Sequence, residues 1–341
     1  MTKFTEVRNG TIVGGYRVDA LLAEGGMGAV YAASHLVLPR RAAVKVLHPS
    51  MMGRARAVER TLQEAQILEE IAGPSVAAIY DAGILADGRP WVAMELLEGA
   101  TLAAILDERG RLPALEVARV ALALAQALAR AHAVDVFHRD IKPDNVLVAG
   151  ERVKLIDWGI ARVGNMPRLT DVDSAPGTPQ YMSPEQVYGG AIDGRTDVYT
   201  LGVVMYELLV GAPPFLGETA VEIALQHVTA QPTRIGPVVP GLPADLDDLI
   251  LAMRAKIPTA RPTIAAVCEK LAELILALSE DYASFEIDVD FDDLEVTQPA
   301  AADETDRALA ATARIKWTPE VRRLVVRSAS EAADVHGEIL R

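Results

Sequence analysis

Polar and apolar positions follow different periods in successive stretches of this chain. Between Tyr16 and about Leu97, short apolar runs are broken by turns. There only Glu59–Glu70 has helical spacing, with Leu62, Ala65, Ile67 and Leu68 as its apolar positions. From about Glu98 to Leu278 helical patterns dominate. Ala114–Ala133 and Val198–Val210 are apolar nearly all round, as helices buried on every side are. Val198–Val210 is too short to span a bilayer and contains Glu207. Farther on, Phe285, Ile287, Val289 and Phe291 alternate with Glu286, Asp288, Asp290 and Asp292, a period of two with one apolar face. That segment reads as a solvated linker, as a strand added to the edge of the small lobe or of a partner, or as an acidic-hydrophobic disordered stretch. It lacks the glycine and spacing of a calcium loop. Residues 296–317 read as a linker with Pro299 and an Ala-rich run. Thr318-Pro319 then opens a helix with a cap residue and a first-turn proline, and Val321, Leu324, Val325, Ala332, Val335 and Ile339 share one face. The organisation expected is a lead-in at 1–15, a small mostly-β region at 16–97, a larger mostly-α region at 98–278, an acidic tail and linker at 279–317, and an amphipathic helix at 318–341. The fold class is α+β.

Charge and cysteine usage narrow the classes of function. The 341 residues carry 33 basic and 47 acidic side chains, a formal charge of −14. Eight of the acids, with no basic residue, fall in Glu280–Glu295. Nucleic acid and anionic membranes are disfavoured as main partners. The single cysteine, Cys268, allows no intrachain disulfide and suits a reducing compartment. Met1–Gly10 has no signal-peptide core. A cytoplasmic protein without a membrane span is expected, and its Ala and Arg richness suggests a GC-rich bacterial genome.

The residues that carry chemistry lie close together. His138-Arg139-Asp140-Ile141-Lys142-Pro143-Asp144-Asn145 is followed, 12 residues after Asn145, by Asp157-Trp158-Gly159. An Asp, a Lys, an Asn and a second Asp suit phosphoryl transfer, in which one carboxylate orients a hydroxyl, an amide and a carboxylate hold Mg²⁺, and an ammonium neutralises the transferring group. A lone tripeptide of this kind would be weak evidence. Eight ordered residues with a second acidic motif at this distance are specific.

This segment resembles the catalytic loop and metal-binding motif of the eukaryotic-type Ser/Thr protein kinases. The resemblance covers roughly Tyr16–Leu278 and implies a bilobal fold with a nucleotide cleft between a small mostly-β lobe and a larger mostly-α lobe. It makes Asp140 the group that orients the substrate hydroxyl and Lys142 and Lys45 the phosphate-neutralising cations. Asn145 and Asp157 become ligands for Mg²⁺, with Mn²⁺ the alternative ion. Trp158 stands where the family has Phe, and a bulky aromatic still serves there as an apolar plug.

The nucleotide end is read in the same way. Leu22-Ala23-Glu24-Gly25-Gly26-Met27-Gly28-Ala29-Val30 is a Gly-rich run whose backbone N–H groups can approach a triphosphate; alone, it reads equally well as a hairpin turn. In the family pattern, Gly25, Gly28 and Val30 match and Ala23 replaces the first Gly. Seventeen residues after Gly28, Lys45 interrupts the apolar run Ala42–Leu47. Such a Lys is either at a solvent-facing edge or has its charge used. By resemblance it binds ATP phosphates and pairs with Glu64; Glu59, Glu69 and Glu70 are alternatives by residue type. Leu22, Val30, Ala43, Met94, Leu147 and Ile156 would line the adenine slot, with Glu95 and Leu97 offering backbone groups to the base. Core packing explains those residue types as well.

Gly177-Thr178-Pro179-Gln180-Tyr181-Met182-Ser183-Pro184-Glu185 resembles the family's peptide-docking segment. Thr178 would bond near Asp140 and Lys142, Glu185 would pair with Arg261, and Asp197 would hold the catalytic loop. Pro213-Pro214-Phe215 matches the loop beyond the central helix. The intact segment argues for protein substrates carrying Ser or Thr over a small-molecule phosphotransferase. A nucleotide-binding pseudokinase scaffold is the other alternative, for which Ala23 and Trp158 are the motif departures. In the family, an Arg beside the catalytic Asp, here Arg139 beside Asp140, marks control by activation-loop phosphorylation. Thr170 is the expected acceptor and Ser174 a second; Asp171 and Asp173 could partly supply the charge. Thr170 or Thr297, once phosphorylated, would suit a phosphothreonine-binding domain. Oligomeric state is not legible.

Overall fold

The computed structural model describes residues 7–25, 28–52, 57–158 and 179–283, and the chain divides into two units after Ser279. The first unit opens with strands β1 (Ile12–Val13), β2 (Tyr16–Glu24), β3 (Gly28–His35) and β4 (Arg41–Leu47), then helix α1 (Ala57–Glu70), then β5 (Ile79–Ile84) and β6 (Pro90–Glu95). These strands form one six-stranded antiparallel sheet, ordered β1-β2-β3-β4-β6-β5. Its apolar face is small and β-branched, as a pleated half-buried surface prefers: Val13, Val18, Ala33, Ala42, Val44, Val46 and Ala93 close around Tyr16 and Trp91. α1 packs on β5 and β6 through Leu62, Ala65 and Leu68. Gly28 starts β3 so close to β4 that a Cβ would meet the Val46 carbonyl oxygen. Only glycine fits there.

The second part of this unit is built on helices. After β7 (Ala100–Thr101) come α2 (Leu102–Arg109) and α3 (Ala114–His132), then β8 (Val146–Ala149) and β9 (Arg152–Leu155), which with β7 make a three-stranded sheet. Then follow α4 (Pro184–Tyr188), α5 (Gly194–Val210), α6 (Ala220–Thr229), α7 (Ala244–Met253) and α8 (Ile264–Ala283). α5 is the axis of the lobe. Every residue from Thr196 to Leu209 is buried, which explains its nearly unbroken apolar sequence. Asp193 caps its start and Gly211, in the left-handed region, ends it. A Cβ on Gly202 would come within 2.8 Å of the Met253 Cβ, so α5 and α7 pack at a distance only glycine permits. Ser183 and Gln186 form a reciprocal capping box at the head of α4.

The result is an α+β, two-lobed architecture, with the six-stranded sheet and α1 in one lobe and the other helices with the three-stranded sheet in the other. The lobes are stitched together where Val76, after α1, pairs with Leu155 of β9. The alternating segment at 285–292, the linker at 296–317, Thr297 and the helix at 318–341 lie outside the described residues. So do Gly26, Met27, Gly159, Thr170–Ser174, Gly177 and Thr178.

Candidate active site

The register of the six-stranded sheet gathers the residues expected at the nucleotide end before any side-chain contact is considered. Val30 lies opposite Lys45, and Ala43 opposite Met94. Directly paired residues share a sheet face, and positions two apart on one strand do too. Val30, Ala43, Lys45 and Met94 therefore occupy one face, opposite to the core residues Val44 and Val46. Ala23 pairs with Val30 and Glu24 with Ala29, so the described part of the Gly-rich run continues the same ribbon. Leu22 is half exposed, and Met94, Glu95, Leu97, Leu147 and Ile156 are part-buried. Glu95 has further roles that its sequence position does not reveal. Its carboxylate accepts from Lys154 Nζ at 2.7 Å and its N–H donates to the Ala78 carbonyl at 2.8 Å.

Lys45 joins the lobes. Its Nζ lies 3.0 Å from Asp157 Oδ1 and 4.0 Å from Glu64 Oε1. The expected carboxylates are both there, but Asp157 is the nearer. Burial alone would lower the Lys45 pKa; Glu64 and then Asp157 outweigh it and hold the ammonium charged above the ordinary lysine range. The Lys45 ammonium pulls the Asp157 carboxyl below its ordinary value, against burial, with help from Lys142. Glu64 goes the other way. Burial raises it, and its more distant share of Lys45 does not compensate.

The loop that begins at His138, and the turn at Asp157, use backbone geometry that is uncommon outside glycine. Arg139 and Asp157 adopt φ of 65° and 53°. Two groups over-determine the loop. Asp197, fully buried on α5, accepts from the His138 N–H (2.9 Å), the Arg139 N–H (2.8 Å) and His132 Nε2 (2.9 Å). Gln186 of α4 donates to the Arg139 carbonyl at 2.8 Å. His138 is buried without exposure, its Nε2 against the Ile156 carbonyl at 3.1 Å and its ring 4.9 Å from Trp158. Burial holds its pKa below the ordinary histidine range, so the ring is neutral. Trp158 is buried, and its indole N–H donates to the Leu155 carbonyl at 3.2 Å.

Asp140 and Asn145 meet directly. The Asn145 Nδ2 donates to the Asp140 carbonyl at 2.8 Å and more weakly to the Asp140 carboxylate at 3.4 Å. The amide nitrogen is thereby occupied, leaving the amide oxygen as a donor to a cation. The Ile156 N–H donates to the Asn145 carbonyl at 2.9 Å, which places Asp157 next in line. The Asp157 side chain is 56% exposed. Among the described residues no group of three or more His, Cys, Asp or Glu could hold a metal ion. Two hard oxygen donors, Asn145 and Asp157, fit Mg²⁺, which keeps most of its octahedral shell for phosphate and water.

The docking segment is described from Pro179 onward. Glu185 and Arg261 form a bidentate pair at 2.7 and 2.8 Å, and Thr196 adds a third hydrogen bond to Glu185 at 2.7 Å. Burial would raise Glu185, but Arg261 more than reverses this and Glu185 ends below the ordinary carboxylate range. Sequence patterns did not single out four partners: Lys154 on Glu95 at the small lobe, and on the helical side His132 on Asp197, Glu207 accepting from the Tyr181 hydroxyl at 2.7 Å, and His227 contacting the Gln180 carbonyl at 2.9 Å.

Comparison with known proteins gives a consistent setting. The family model for the protein kinase domain matches residues 16–271. The chain is 38% identical to serine/threonine-protein kinase pkn3 of Myxococcus xanthus over 75% of this chain and 49% of that one. It is 38% identical to serine/threonine-protein kinase PknB of Mycobacterium leprae over 76% and 42%. It is 37% identical to PknL of Mycobacterium tuberculosis over 75% and 66%. The chain thus spans 42–66% of the length of these relatives. The PknI kinase domain of Mycobacterium tuberculosis is similar in structure, with a TM-score of 0.62 and 28% identity over 79% of this chain and 99% of that one.

Proposed function

This chain belongs to the protein kinase domain family, and we propose that it is a bacterial Ser/Thr protein kinase that transfers the ATP γ-phosphate to Ser or Thr hydroxyls of proteins. The observation that carries the proposal is the convergence of Lys45, Asp157, Asn145 and Asp140, from two lobes and 112 residues apart at its widest, linked by a 3.0 Å ion pair and a 2.8 Å hydrogen bond. We assign Asp140 to orient the substrate hydroxyl and accept its proton. Lys45 and Lys142 neutralise phosphate oxygens. Asn145 and Asp157 hold Mg²⁺, which, when bound, screens the phosphate charge. The Gly-rich residues Leu22–Val30 cover the phosphates; Ala43, Met94, Glu95, Leu97 and Leu147 enclose the base; and Glu64 steadies Lys45. By its place in the motif, Thr178 is assigned to act beside Asp140 and Lys142. Catalysis is then positioning and electrostatics, supplied by groups already in place.

The kinase unit in this reading is 16–278, with 279–317 as a linker and 318–341 as a helix. A cytoplasmic location is part of the same proposal. Thr170 is the proposed autophosphorylation site, with Ser174 second; Thr170 and Thr297 are proposed docking sites for a phosphothreonine-binding domain. Among the described residues no helix is long and apolar enough to cross a membrane.

The test is incubation of wild type and Asp140→Asn with Mg²⁺, γ-labelled ATP and a Ser/Thr protein substrate, followed by phosphosite mapping. Label on Ser or Thr that the variant loses is the expected result. Wild type that binds nucleotide but labels nothing, even after treatment with an active relative, would sink the proposal.

A further inference from the structure

His227 takes no part in the chemistry assigned above, yet it is fully buried at the last turn of α6. One ring nitrogen, Nε2, lies 2.9 Å from the Gln180 carbonyl, and the other, Nδ1, lies 2.9 Å from the Tyr199 hydroxyl. A carbonyl only accepts, so Nε2 carries the proton. In the neutral ring Nδ1 is then an acceptor, and the Tyr199 hydroxyl donates to it. The Tyr199 oxygen accepts in turn from Lys256 Nζ at 3.3 Å, and Lys256 also donates to the His227 carbonyl at 2.8 Å. The ring packs edge-on against Phe215 at 4.8 Å and Tyr199 at 5.8 Å. The polar chain therefore runs one way, from Lys256 through Tyr199 and His227 to the docking segment. Burial, and then the Lys256 charge, push the His227 pKa down to about 3, so one tautomer is held across the working pH range.

Gln180 and Tyr181 sit side by side in the segment that faces a protein substrate in the kinase reading. Tyr181 is fastened to α5 through Glu207, and Gln180 is fastened to α6 through His227. The Gln180 side-chain oxygen is itself buried without a hydrogen-bond partner. Losing the His227 donor would leave this residue with a second unmet acceptor, so the segment would have to move to find one.

We infer that His227 is a positioning residue for the peptide-docking segment, holding Gln180 so that the segment receives a protein substrate; this rests on the protein kinase reading. Its influence falls on peptide affinity and not on nucleotide affinity, because its hydrogen-bond chain shares no member with Lys45, Asp157 or Asn145.

Steady-state kinetics of the full chain with a Ser/Thr peptide distinguish the possibilities. In His227→Leu, the peptide KM should rise about tenfold, equivalent to about 1.4 kcal/mol, with the ATP KM unchanged. His227→Gln, whose amide N–H stands in for Nε2, should stay near wild type. An unchanged peptide KM in His227→Leu, or an equal rise in both KM values, overturns the inference. Should His227→Leu yield no folded protein, His227→Asn against His227→Gln decides: the shorter amide should raise the peptide KM where the longer one does not, and equal values overturn it. A wild type without peptide transfer would instead remove the kinase reading itself.

Discussion

The charges of the cleft and the charges beneath the docking segment are both ion-paired, and they are held in opposite ways. Arg261 spends all of its donors: Nε on the Ala255 carbonyl, Nη1 on Glu185 and the Arg195 carbonyl, Nη2 on Glu185 and the Lys256 carbonyl. Its side chain is 0% exposed and that of Glu185 2%. In the cleft, Lys45 divides itself between carboxylates at 3.0 and 4.0 Å, and Asp157 keeps more than half of its surface open. The frame is saturated and rigid; the cleft holds charge in reserve for a substrate that brings charge of its own. A saturated pair contributes shape, because a buried ion pair that lacks one partner is costly. An unsaturated cluster contributes chemistry.

The largest effect should come from breaking the frame. Arg261→Ala strands the Glu185 carboxylate in the interior and is expected to lower stability by about 3–5 kcal/mol, read by thermal or denaturant unfolding. A loss below about 1 kcal/mol would mean that the pair is not structural. Breaking the cleft should do the converse. Asp157→Asn is expected to slow phosphoryl transfer by about 10²–10³-fold, or about 3–4 kcal/mol in the barrier. Stability should move by less than about 1 kcal/mol, because the Asp157 side chain is more than half exposed and Lys45 keeps Glu64. A variant that unfolds before it loses activity would erase the contrast between the two regions.

A pH series sharpens the contrast further. His227 stays neutral when folded, down to about 3, while in the unfolded chain it takes up a proton near its ordinary value of 6.5. Between these values the unfolded state binds more protons, so stability is full above about pH 6.5 and falls as pH drops toward about 3. At about pH 4.5 this one group should account for a loss on the order of 2–3 kcal/mol. His227→Gln should show a shallower acid decline than wild type in unfolding measured from about pH 7 to 4.5. Parallel declines would mean that the ring is not held neutral.

The parts of the molecule that repeat a period or an ordered motif were readable from the sequence, and those that depend on a backbone partner were not. α5 follows directly from an apolar run that only an all-round burial explains; α3, whose sequence also suggested burial on every side, instead buries one face and leaves Arg119, Gln126 and Arg130 exposed. Lys45 stood out because an isolated cation in an apolar strand demands a partner. His227 left no such mark. Its key contact is a main-chain carbonyl 47 residues away, which any residue type could supply. Lys154 reads as an ordinary outward strand lysine, yet it is buried and holds Glu95 and the Val76 carbonyl. The positive φ of Arg139 is likewise held by Asp197 and Gln186, not by the local sequence.

Trp158 lies where the two regions touch, which makes it the finest probe of the difference between them. It packs on His138, whose backbone is held by Asp197 of the frame, and it directly follows Asp157 of the cleft. If the indole serves only as an apolar plug, a phenyl ring should replace it with little kinetic consequence. Trp158→Phe removes the N–H that reaches the Leu155 carbonyl and leaves a small void, which together should cost about 1–2 kcal/mol of stability. The transfer rate should stay within about threefold of wild type, since no group that meets the phosphates has changed and a threefold change is under about 1 kcal/mol. A rate falling by more than about tenfold at unchanged stability would show that the indole hydrogen bond sets the position of Asp157. The boundary between frame and cleft would then lie one residue later than the ion pairs suggest.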